Sequence, residues 1–149
     1  MEHMLTRLQW LVGKEKIDML NGKSVALFGC GGVGGFALEA LVRSGIGRIV
    51  LIDGDSVAVS NLNRQIIATQ ATIGRRKVEV AKERALSIRP DVVVETHDIV
   101  YTDSEYPDFI ASLKVDYVID AIDMVTAKLA IIENCQKLGV PCISSMGTG

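Results

Sequence analysis

Residues 23–35 read KSVALFGCGGVGG, a short apolar run followed at once by a cluster of glycines. The apolar part is typical of a buried β-strand, and the glycines after it predict a loop. Gly29, Gly31 and Gly34 fit the pattern G-x-G-x-x-G between a strand and a helix. Backbone N–H groups and a helix N-terminus can approach phosphate groups in such a loop. We therefore expect a nucleotide-binding strand-loop-helix unit here.

The rest of the sequence repeats this alternation of strand and helix. Four further apolar runs predict buried strands, at residues 48–52, 92–96, 117–119 and 140–144. Apolar residues at helical spacing predict the intervening helices, at residues 36–44, 75–88, 104–113 and 126–138. Such an order implies right-handed crossovers between parallel strands. We therefore expect one domain over residues 1–149 with a Rossmann-like, doubly wound α/β fold. Its mostly parallel sheet would carry helices on both faces, after an N-terminal helical arm at residues 1–22.

Composition and charge exclude several classes of protein. The 149 residues are 48% hydrophobic and 23% charged, which is typical of a globular domain with one core. A net charge of −2 provides no overall basic field for nucleic acid or an anionic membrane. Cys30, Cys135 and Cys142 are an odd number without a C-x-x-C pair, which predicts reduced thiols. Because no apolar run suits a secretory signal or a bilayer span, we expect a cytoplasmic protein without membrane insertion.

Ligands of such sheets bind beyond the carboxyl ends of the strands. The stretches expected there are residues 29–34, 53–63, 120–123 and 144–149. Asp53 ends the second strand, nineteen residues after Gly34, where a carboxylate accepts hydrogen bonds from a ribose. The aspartate and the glycine loop together predict an adenine nucleotide.

The loop after the second strand favours ATP over NAD. The glycine pattern alone would suggest NAD, but residues 60–66 read SNLNRQI and are rich in groups that hold a polyphosphate. Arg64 can fork two phosphate oxygens, Asn61 can donate its amide, and Lys77 can add a point charge. The alternative for Lys77 is the solvated basic start of a helix.

Two carboxylates, Asp120 and Asp123, flank Ala-Ile where the fourth strand ends. At least one of them should face the nucleotide. Asp123 is the better candidate for Mg²⁺, which proteins usually hold through one or two carboxylates together with phosphate oxygens. Asp120 either faces the nucleotide or braces the loop, and the sequence leaves both readings open.

These motifs resemble, in order and spacing, those of the adenylating family that includes the ubiquitin-activating, HesA, MoeB and ThiF enzymes. They are GCGGVG at 29–34, Asp53, SNLNRQ at 60–65, Lys77 and DAID at 120–123. The resemblance covers almost the whole chain. Within the family, residues 61–66, 120–123 with Lys128, and 143–147 are most similar to the tRNA threonylcarbamoyladenosine dehydratases. The resemblance therefore implies an ATP-dependent, ligase-like adenylating enzyme of tRNA modification.

The resemblance also implies a set of nucleotide-binding residues. The phosphate and adenosine loop would consist of Gly29, Gly31, Gly32 and Gly34, and the ribose ligand would be Asp53. The triphosphate would be lined by Asn61, Arg64, Gln65 and Lys77.

The catalytic residues implied by the resemblance are Asp123, Arg64, Lys77 and Arg7. Asp123 would hold Mg²⁺ beside the phosphorus that is attacked, while the cationic side chains neutralise the phosphates. Arg7 matches an N-terminal arginine that in relatives reaches into the partner subunit's site, which implies a homodimer. The alternative for Arg7 is an ordinary exposed arginine.

The implied reaction is adenylation of the threonylcarbamoyladenosine carboxylate in tRNA, followed by cyclising dehydration. One alternative is a MoeB- or ThiF-like enzyme that adenylates the C-terminal glycine of a ubiquitin-like sulfur carrier, with sulfur-transfer proteins as partners. A non-catalytic nucleotide-binding module is a third reading, and an NAD-dependent oxidoreductase a weaker fourth. Family members continue beyond the fifth strand, so the chain resembles an N-terminal portion that lacks the C-terminal half of the family fold. Whether the shorter chain is active stays open.

Overall fold

The structure is a computed structural model that describes residues 1–146. Its elements are, in chain order, α1 Thr6–Val12, α2 Lys14–Asn21, β1 Ser24–Phe28, α3 Gly32–Ser44, β2 Arg48–Ile52, a 3₁₀ turn at Val59–Asn61, α4 Lys77–Ile88, β3 Val93–His97, α5 Phe109–Leu113, β4 Tyr117–Asp120, α6 Val125–Leu138 and β5 Cys142–Ser144. Within these residues, no helix combines the length and the apolar character that crossing a membrane requires.

The five strands form one parallel sheet in the order β3-β2-β1-β4-β5. The chain moves outward from β1 to β3, then returns to place β4 on the other side of β1. Leu27 of β1 therefore lies between Leu51 of β2 and Ile119 of β4. This reversal of direction between β1 and β4 is the position where doubly wound sheets bind ligands. The expected α/β Rossmann-like fold is confirmed.

Both faces of the sheet are covered, which explains the continuous apolar run of β1. Successive side chains of a strand point to opposite faces. Val25 and Leu27 accordingly pack into the core beneath α3 and α4, while Ala26 and Phe28 pack into the core beneath α5 and α6. The buried strand thus holds the loop that follows it firmly between two helical layers.

The first apolar run, at 24–28, predicts β1 and the run at 48–52 predicts β2, and both bounds match the structure, but other elements differ. α3 begins at Gly32, four residues before the first predicted residue, since three of the four residues at 32–35 are glycines, which give no periodic apolar signal. α5 spans only Phe109–Leu113 rather than 104–113. Pro107 disfavours helical backbone at the residue before it, and Asp108 has a left-handed φ of 61°. β5 begins at Cys142 because Pro141 has no N–H to donate to a ladder.

The N-terminal residues form the two short helices α1 and α2, which are separated by Gly13. Gly13 has a φ of +88°, so the backbone cannot continue as one helix. α2 buries Ile17, whereas α1 buries none of its residues and leaves Trp10 and Leu11 exposed. Arg7 lies on this exposed helix.

Candidate functional site

A cavity of about 740 Å³ opens at the carboxyl ends of β1, β2 and β4, where the strand order reverses. Its size is typical of a small-molecule site. Eight of the residues predicted for the nucleotide or its metal line this cavity: Gly29, Gly31, Gly32, Asp53, Arg64, Gln65, Lys77 and Asp123. Gly34, Asn61 and Arg7 do not line it. The structure thus brings together residues from the loops after β1, β2 and β4 and from the start of α4.

The glycine loop is required by close contacts as well as by access to the cavity. Gly29 has a φ of +98°, and a Cβ on it would lie 2.6 Å from the carbonyl oxygen of Ala121. A Cβ on Gly34 would lie 1.8 Å from the carbonyl oxygen of Gly29. Gly34 therefore lets the first turn of α3 lie against the loop. It does not line the cavity itself, but this packing sets the position of the loop that does. The N-terminus of α3 is consequently directed at the cavity, as a phosphate site requires.

Asp53 ties the glycine loop to the loop after β2. Its Oδ2 accepts a hydrogen bond from the backbone N–H of Cys30 at 2.8 Å, and its Oδ1 accepts one from the N–H of Asp55 at 2.8 Å. A carboxylate offers about four acceptor positions in total. Asp53 therefore keeps acceptor capacity for ribose hydroxyls while it fixes both loops.

Asn61 shapes the loop that carries Arg64. Its side chain is buried, and its Oδ1 accepts a hydrogen bond from the N–H of Ala58 at 2.8 Å. Its carbonyl oxygen accepts hydrogen bonds from the N–H groups of Arg64 and Gln65. This arrangement explains why the turn needs an asparagine. The predicted contact between the Asn61 amide and a triphosphate stays a prediction.

Arg64 presents an unpaired guanidinium to the cavity. Its Nη1 donates to the carbonyl oxygen of Ser60 at 2.9 Å and to Oδ1 of Asn63 at 2.8 Å. Among residues 1–146, every other arginine has a carboxylate within 4.0 Å, and Arg64 has none. Its Nε and Nη2 donors are consequently available to an anion, which suits bidentate binding of phosphate.

Gln65 contributes a buried acceptor that lacks a partner. Its side chain is 7% exposed, and in the described part of the chain its Oε1 is the one buried side-chain polar atom without a hydrogen bond. Leaving such an atom unsatisfied costs about 1–3 kcal/mol. Gln65 lines the cavity beside Gly31, whose Cβ would lie 3.5 Å from Nε2. A bound molecule with a hydrogen-bond donor would satisfy this atom.

Lys77 is the first residue of α4, and its side chain is 8% exposed. Its Nζ lies 4.0 Å from Oδ2 of Asp55, a long contact to a largely exposed carboxylate. The Lys77 side chain is therefore buried at the cavity wall. This environment differs from the alternative reading, a solvated basic residue at the start of a helix. Lys77 and Arg64 therefore supply two positive charges to one cavity.

Asp120 and Asp123 have different surroundings. Asp120 is fully buried beneath the loop, where its Oδ1 accepts from the N–H of Ile122 at 3.1 Å and its Oδ2 accepts from Oγ of Ser144 at 2.6 Å. Lys128 pairs with the same Oδ2 at 3.1 Å. Asp120 thus braces the loop, which decides between the two readings of the sequence. Asp123 is exposed to the cavity and has no cationic side chain within 4.0 Å among residues 1–146.

Cys30 lies inside the glycine loop without being a nucleophile. Its side chain is buried, and burial together with the nearby Asp53 carboxylate raises the pKa of the Cys30 thiol well above its usual range. The group therefore stays protonated at neutral pH, and only thiolates react readily.

No sequence pattern marked the apolar end of the cavity. Ile99, Val100 and Tyr101 line it together with Phe28 and Ile52. The ring of Tyr101 lies edge-on to that of Phe28, with a centroid distance of 5.3 Å. Burial raises the pKa of the Tyr101 hydroxyl, which accepts a hydrogen bond from Nδ2 of Asn134 at 3.2 Å. Since residues 98–108 form an irregular segment, no periodicity could identify them.

Arginines outside the cavity have acidic partners. Arg75, Arg76 and Arg84 pair with Glu83, Asp98 and Glu39 respectively. Those side chains are thus neutralised locally. Arg7 lies 3.5 Å from the exposed Glu2 and 4.5 Å from the centre of the Trp10 ring, away from the cavity of its own chain.

The residues present fit one Mg²⁺ held jointly with a nucleotide. Residues 1–146 contain no cluster of three or more histidine, cysteine, aspartate or glutamate side chains that could hold a metal by itself. Mg²⁺ commonly uses one or two carboxylates and completes its shell with phosphate oxygens and water. The unpaired Asp123 in a cavity with phosphate-binding groups matches that donor set.

Comparison with known proteins agrees with this geometry. The model of the ThiF family matches residues 5–149. The tRNA threonylcarbamoyladenosine dehydratase of Bacillus subtilis is 43% identical over 147 residues, which cover 99% of this chain and 58% of that protein. The Escherichia coli dehydratase is 40% identical over 139 residues, 93% of this chain and 52% of that protein. This chain therefore spans a little over half the length of these curated relatives.

A solved structure shows the same backbone. The crystal structure of the Escherichia coli dehydratase TcdA in complex with ATP superposes with a TM-score of 0.94 at 38% identity, covering 98% of this chain and 60% of that one. Ubiquitin-like modifier-activating enzyme 5 of rice is 32% identical over 146 residues, 91% of this chain and 34% of that protein. Family match, sequence identity and fold agree, and the chain therefore belongs to the ThiF family.

Proposed function

We propose that this chain forms the ATP-binding part of a tRNA threonylcarbamoyladenosine dehydratase. The observation that carries the proposal is the convergence of Arg64, Lys77 and Asp123 on one cavity beside the glycine loop. Two cations and one unpaired carboxylate suit a metal-bound triphosphate. The similarity to dehydratases of Bacillus subtilis and Escherichia coli, one of them solved with ATP, supports the same nucleotide and substrate.

Each part of ATP has a complementary wall in the cavity. The apolar end at Phe28, Ile52 and Tyr101 suits the adenine ring, and Asp53 suits the ribose. The glycine loop and the N-terminus of α3 suit the phosphates, with Gln65 Oε1 as an acceptor for a ligand hydroxyl or phosphate-bound water. Arg64 and Lys77 would neutralise the phosphate charge. A bound Mg²⁺ at Asp123 would add Lewis-acid stabilisation of the phosphates.

The proposed reaction begins when an oxygen of the threonylcarbamoyl carboxylate attacks the α-phosphorus of ATP. The bond to the β-phosphate breaks and pyrophosphate leaves, which gives an acyl-adenylate. An internal nucleophile of the side chain then attacks the activated carbonyl, closes a ring and expels AMP. The net change in the nucleoside is the loss of one water. The cavity would contribute by holding ATP in line and by neutralising charge at Arg64 and Lys77.

Three wider aspects belong to the same proposal. We infer a homodimer in which Arg7 of one subunit reaches the cavity of its partner, because Arg7 is exposed and lies outside the cavity of its own chain. Sulfur-transfer proteins as partners and a cytoplasmic location stay predictions of the resemblance. The bound substrate would be tRNA that carries threonylcarbamoyladenosine.

Mass spectrometry of digested nucleosides tests the reaction. The complete protein is incubated with ATP, Mg²⁺ and tRNA that contains threonylcarbamoyladenosine, with ATP omitted in the control. We expect a nucleoside lighter by one water and an equal amount of AMP. Unchanged nucleoside, with the protein folded and ATP shown to bind, would contradict the proposal.

The similarity to ubiquitin-like modifier-activating enzyme 5 favours one second candidate, adenylation of the C-terminus of a ubiquitin-like protein. The nucleotide cavity would be the same, so its residues do not separate the two functions. Release of pyrophosphate that depends on a ubiquitin-like protein, and not on modified tRNA, would favour this candidate.

A further inference from the structure

A buried ion pair lies directly beneath the loop that carries Asp123. Asp120 is 0% exposed and Lys128 is 4% exposed, with 3.1 Å between Oδ2 and Nζ. Buried charges of this kind are expensive to desolvate and are weak contributors to stability compared with apolar side chains of the same volume. Packing alone therefore does not explain why Asp120 and Lys128 lie under this loop.

The hydrogen bonds of Lys128 show what the pair holds. Nζ of Lys128 also donates to the carbonyl oxygen of Ile122 at 2.7 Å, and Ile122 is the residue immediately before Asp123. The N–H of Ile122 donates to Oδ1 of Asp120 at 3.1 Å. Both backbone polar groups of Ile122 are therefore fixed by the ion pair. Because Asp123 follows Ile122 directly, these hydrogen bonds also fix the backbone from which the Asp123 side chain extends.

The same carboxylate joins a second wall of the cavity to the loop. Oγ of Ser144 donates to Oδ2 of Asp120 at 2.6 Å, and the N–H of Ser145 donates to the carbonyl oxygen of Asp120 at 2.8 Å. Ser145 and Met146 also line the cavity. Asp120 thus couples the end of β5 to the residue that precedes Asp123.

The pair also sets the charge of the loop. Two carboxylates lie within four residues, and Lys128 neutralises the buried one. Asp123 is left as the carboxylate of this loop that is free to attract a cation. Loss of the Lys128 contact would both release the Ile122 carbonyl and leave the negative charge of Asp120 without a partner beneath the loop.

We propose that Lys128, anchored by Asp120, is a positioning residue that sets the direction of Asp123 toward metal-bound ATP. The inference rests on the proposed function, because it assigns Asp123 to that ligand. Lys128 does not line the cavity and would touch neither ATP nor tRNA. Its effect should therefore fall on the rate of the reaction and on the contribution of Mg²⁺ to binding, while ATP itself still binds.

The decisive variant is Asp120→Asn combined with Lys128→Met in the complete protein. Lys128→Met alone would leave a buried carboxylate unpaired and endanger the fold, whereas the double variant removes both charges. The amide oxygen that Asp120→Asn introduces can still accept the Ile122 N–H, and its Nδ2 can donate to Oγ of Ser144, so the loop keeps these two links while the contact between Lys128 and the Ile122 carbonyl is lost. Lys137→Met, which removes an exposed ion pair with Glu133 on the same helix, is the matched control.

Two readouts are measured on each protein. We expect the double variant to lower kcat for dehydration by roughly 10- to 100-fold, because a misplacement of about 1 Å has effects of this size. By calorimetry, metal-free ATP should bind as in the wild type, and the gain in affinity on adding Mg²⁺ should be lost, as in Asp123→Ala. Lys137→Met should behave as the wild type in both.

The outcomes separate this inference from the proposed function. A folded double variant with wild-type kcat and the full Mg²⁺ gain would overturn the role of Lys128 and leave the dehydratase standing. Wild-type protein without dehydration would contradict the dehydratase, and the calorimetric comparison would still decide on Lys128. If the double variant did not fold, Asp120→Asn combined with Lys128→Gln would replace it, because this neutral pair keeps polar groups facing each other while the glutamine is one bond too short for the Ile122 carbonyl that Lys128 contacts. Unchanged Mg²⁺ gain and kcat in that variant would then contradict the inference.

Discussion

Arg64 is the residue on which nucleotide affinity should depend most strongly, because its guanidinium has free donors and no carboxylate partner among residues 1–146. Hydrogen bonds to charged groups contribute about 1.5–3 kcal/mol each. Arg64→Ala should therefore weaken ATP binding by roughly 10- to 100-fold, measured by calorimetry. Arg43→Ala, which removes a guanidinium already paired with Glu39 on the surface, serves as the control. Equal affinities of the two variants would contradict the assignment of Arg64.

Asp123 should matter for the reaction and little for the fold. Its side chain is exposed and has no charged partner among the described residues, so Asp123→Ala removes no packing. We expect formation of the adenylate to be abolished and the melting temperature to stay within about 1–2 °C of the wild type, as for most surface substitutions. Release of pyrophosphate and differential scanning calorimetry measure the two effects. Near-normal release of pyrophosphate would remove Asp123 from the mechanism.

The sequence predicts the role of a residue that belongs to a motif. It does not predict the role of a residue that acts only through contacts in the folded chain. The glycines, Asp53, Arg64, Lys77 and Asp123 could be named because their types and spacing match the chemistry of a nucleotide. Lys128 stood in the sequence only as part of a resemblance. Its contact with the Ile122 carbonyl depends on how α6 packs under the loop, which no local pattern encodes.

At the scale of elements, the joint between β1 and α3 depends on Gly34. A Cβ there would lie 1.8 Å from the carbonyl oxygen of Gly29, so the helix or the loop would have to move. Gly34→Ala should lower the free energy of unfolding by about 3 kcal/mol, the upper end of the usual cost of overpacking. Urea denaturation measures it. Gly22→Ala is the control, since Gly22 has an ordinary φ of −84° and room for a methyl group, and it should change stability by less than about 0.5 kcal/mol.

Glu39 links α3 to α4 in a pH-dependent way. Burial alone would raise the pKa of Glu39, but hydrogen bonds from Arg84 and Arg43 outweigh it and hold the pKa below its ordinary value of 4.5. A carboxylate with a lowered pKa stabilises the fold above its ordinary pKa, and this stabilisation disappears as the pH falls through its lowered value. Glu39→Gln should therefore cost roughly 1–2 kcal/mol at pH 7 and much less near pH 3. A cost that is equal at both pH values in urea denaturation would show that the ion pairs contribute nothing.

Element bounds were predictable where side-chain periodicity is uninterrupted and both ends carry a stop signal. β1 and β2 have such ends, and their bounds agree with the prediction. α5 was predicted too long because the apolar spacing continues through Pro107. In the structure, Asp108 adopts a left-handed φ of 61°, and the helix begins only after it. The apolar wall at residues 99–101 lies in irregular backbone, where periodicity has no meaning.

For the whole molecule, the proposed homodimer makes a prediction that a monomer does not. If Arg7 acts in the partner's cavity, a dimer of one Arg7→Ala subunit and one Asp123→Ala subunit contains one site with both residues intact. Random mixing should restore about a quarter of wild-type activity, because half of the dimers are mixed and each has one complete site. Activity that stays at background, with mixed dimers verified by mass spectrometry, would rule out action across subunits.

The charge of the whole chain could be predicted, but its distribution could not. Net charge comes from counting, whereas the pairing of Arg75, Arg76 and Arg84 with acidic residues depends on contacts that form only in the folded chain. Each of those three arginines therefore has its charge balanced by a neighbouring carboxylate, although all three lie in or just before α4.

The rate at which the buried Cys30 thiol is alkylated should report how often the glycine loop opens. Cys30 and Cys135 are each 1% exposed and are held protonated by raised pKa values, while Cys142 is half-buried. In a timed reaction with iodoacetamide, Cys142 should be alkylated first, and the other two only as often as the chain opens. Saturating nucleotide should slow the labelling of Cys30, since its loop can then open only after the ligand departs. Peptide mapping of the three adducts would thus measure, without any engineered probe, how often the glycine loop opens to solvent.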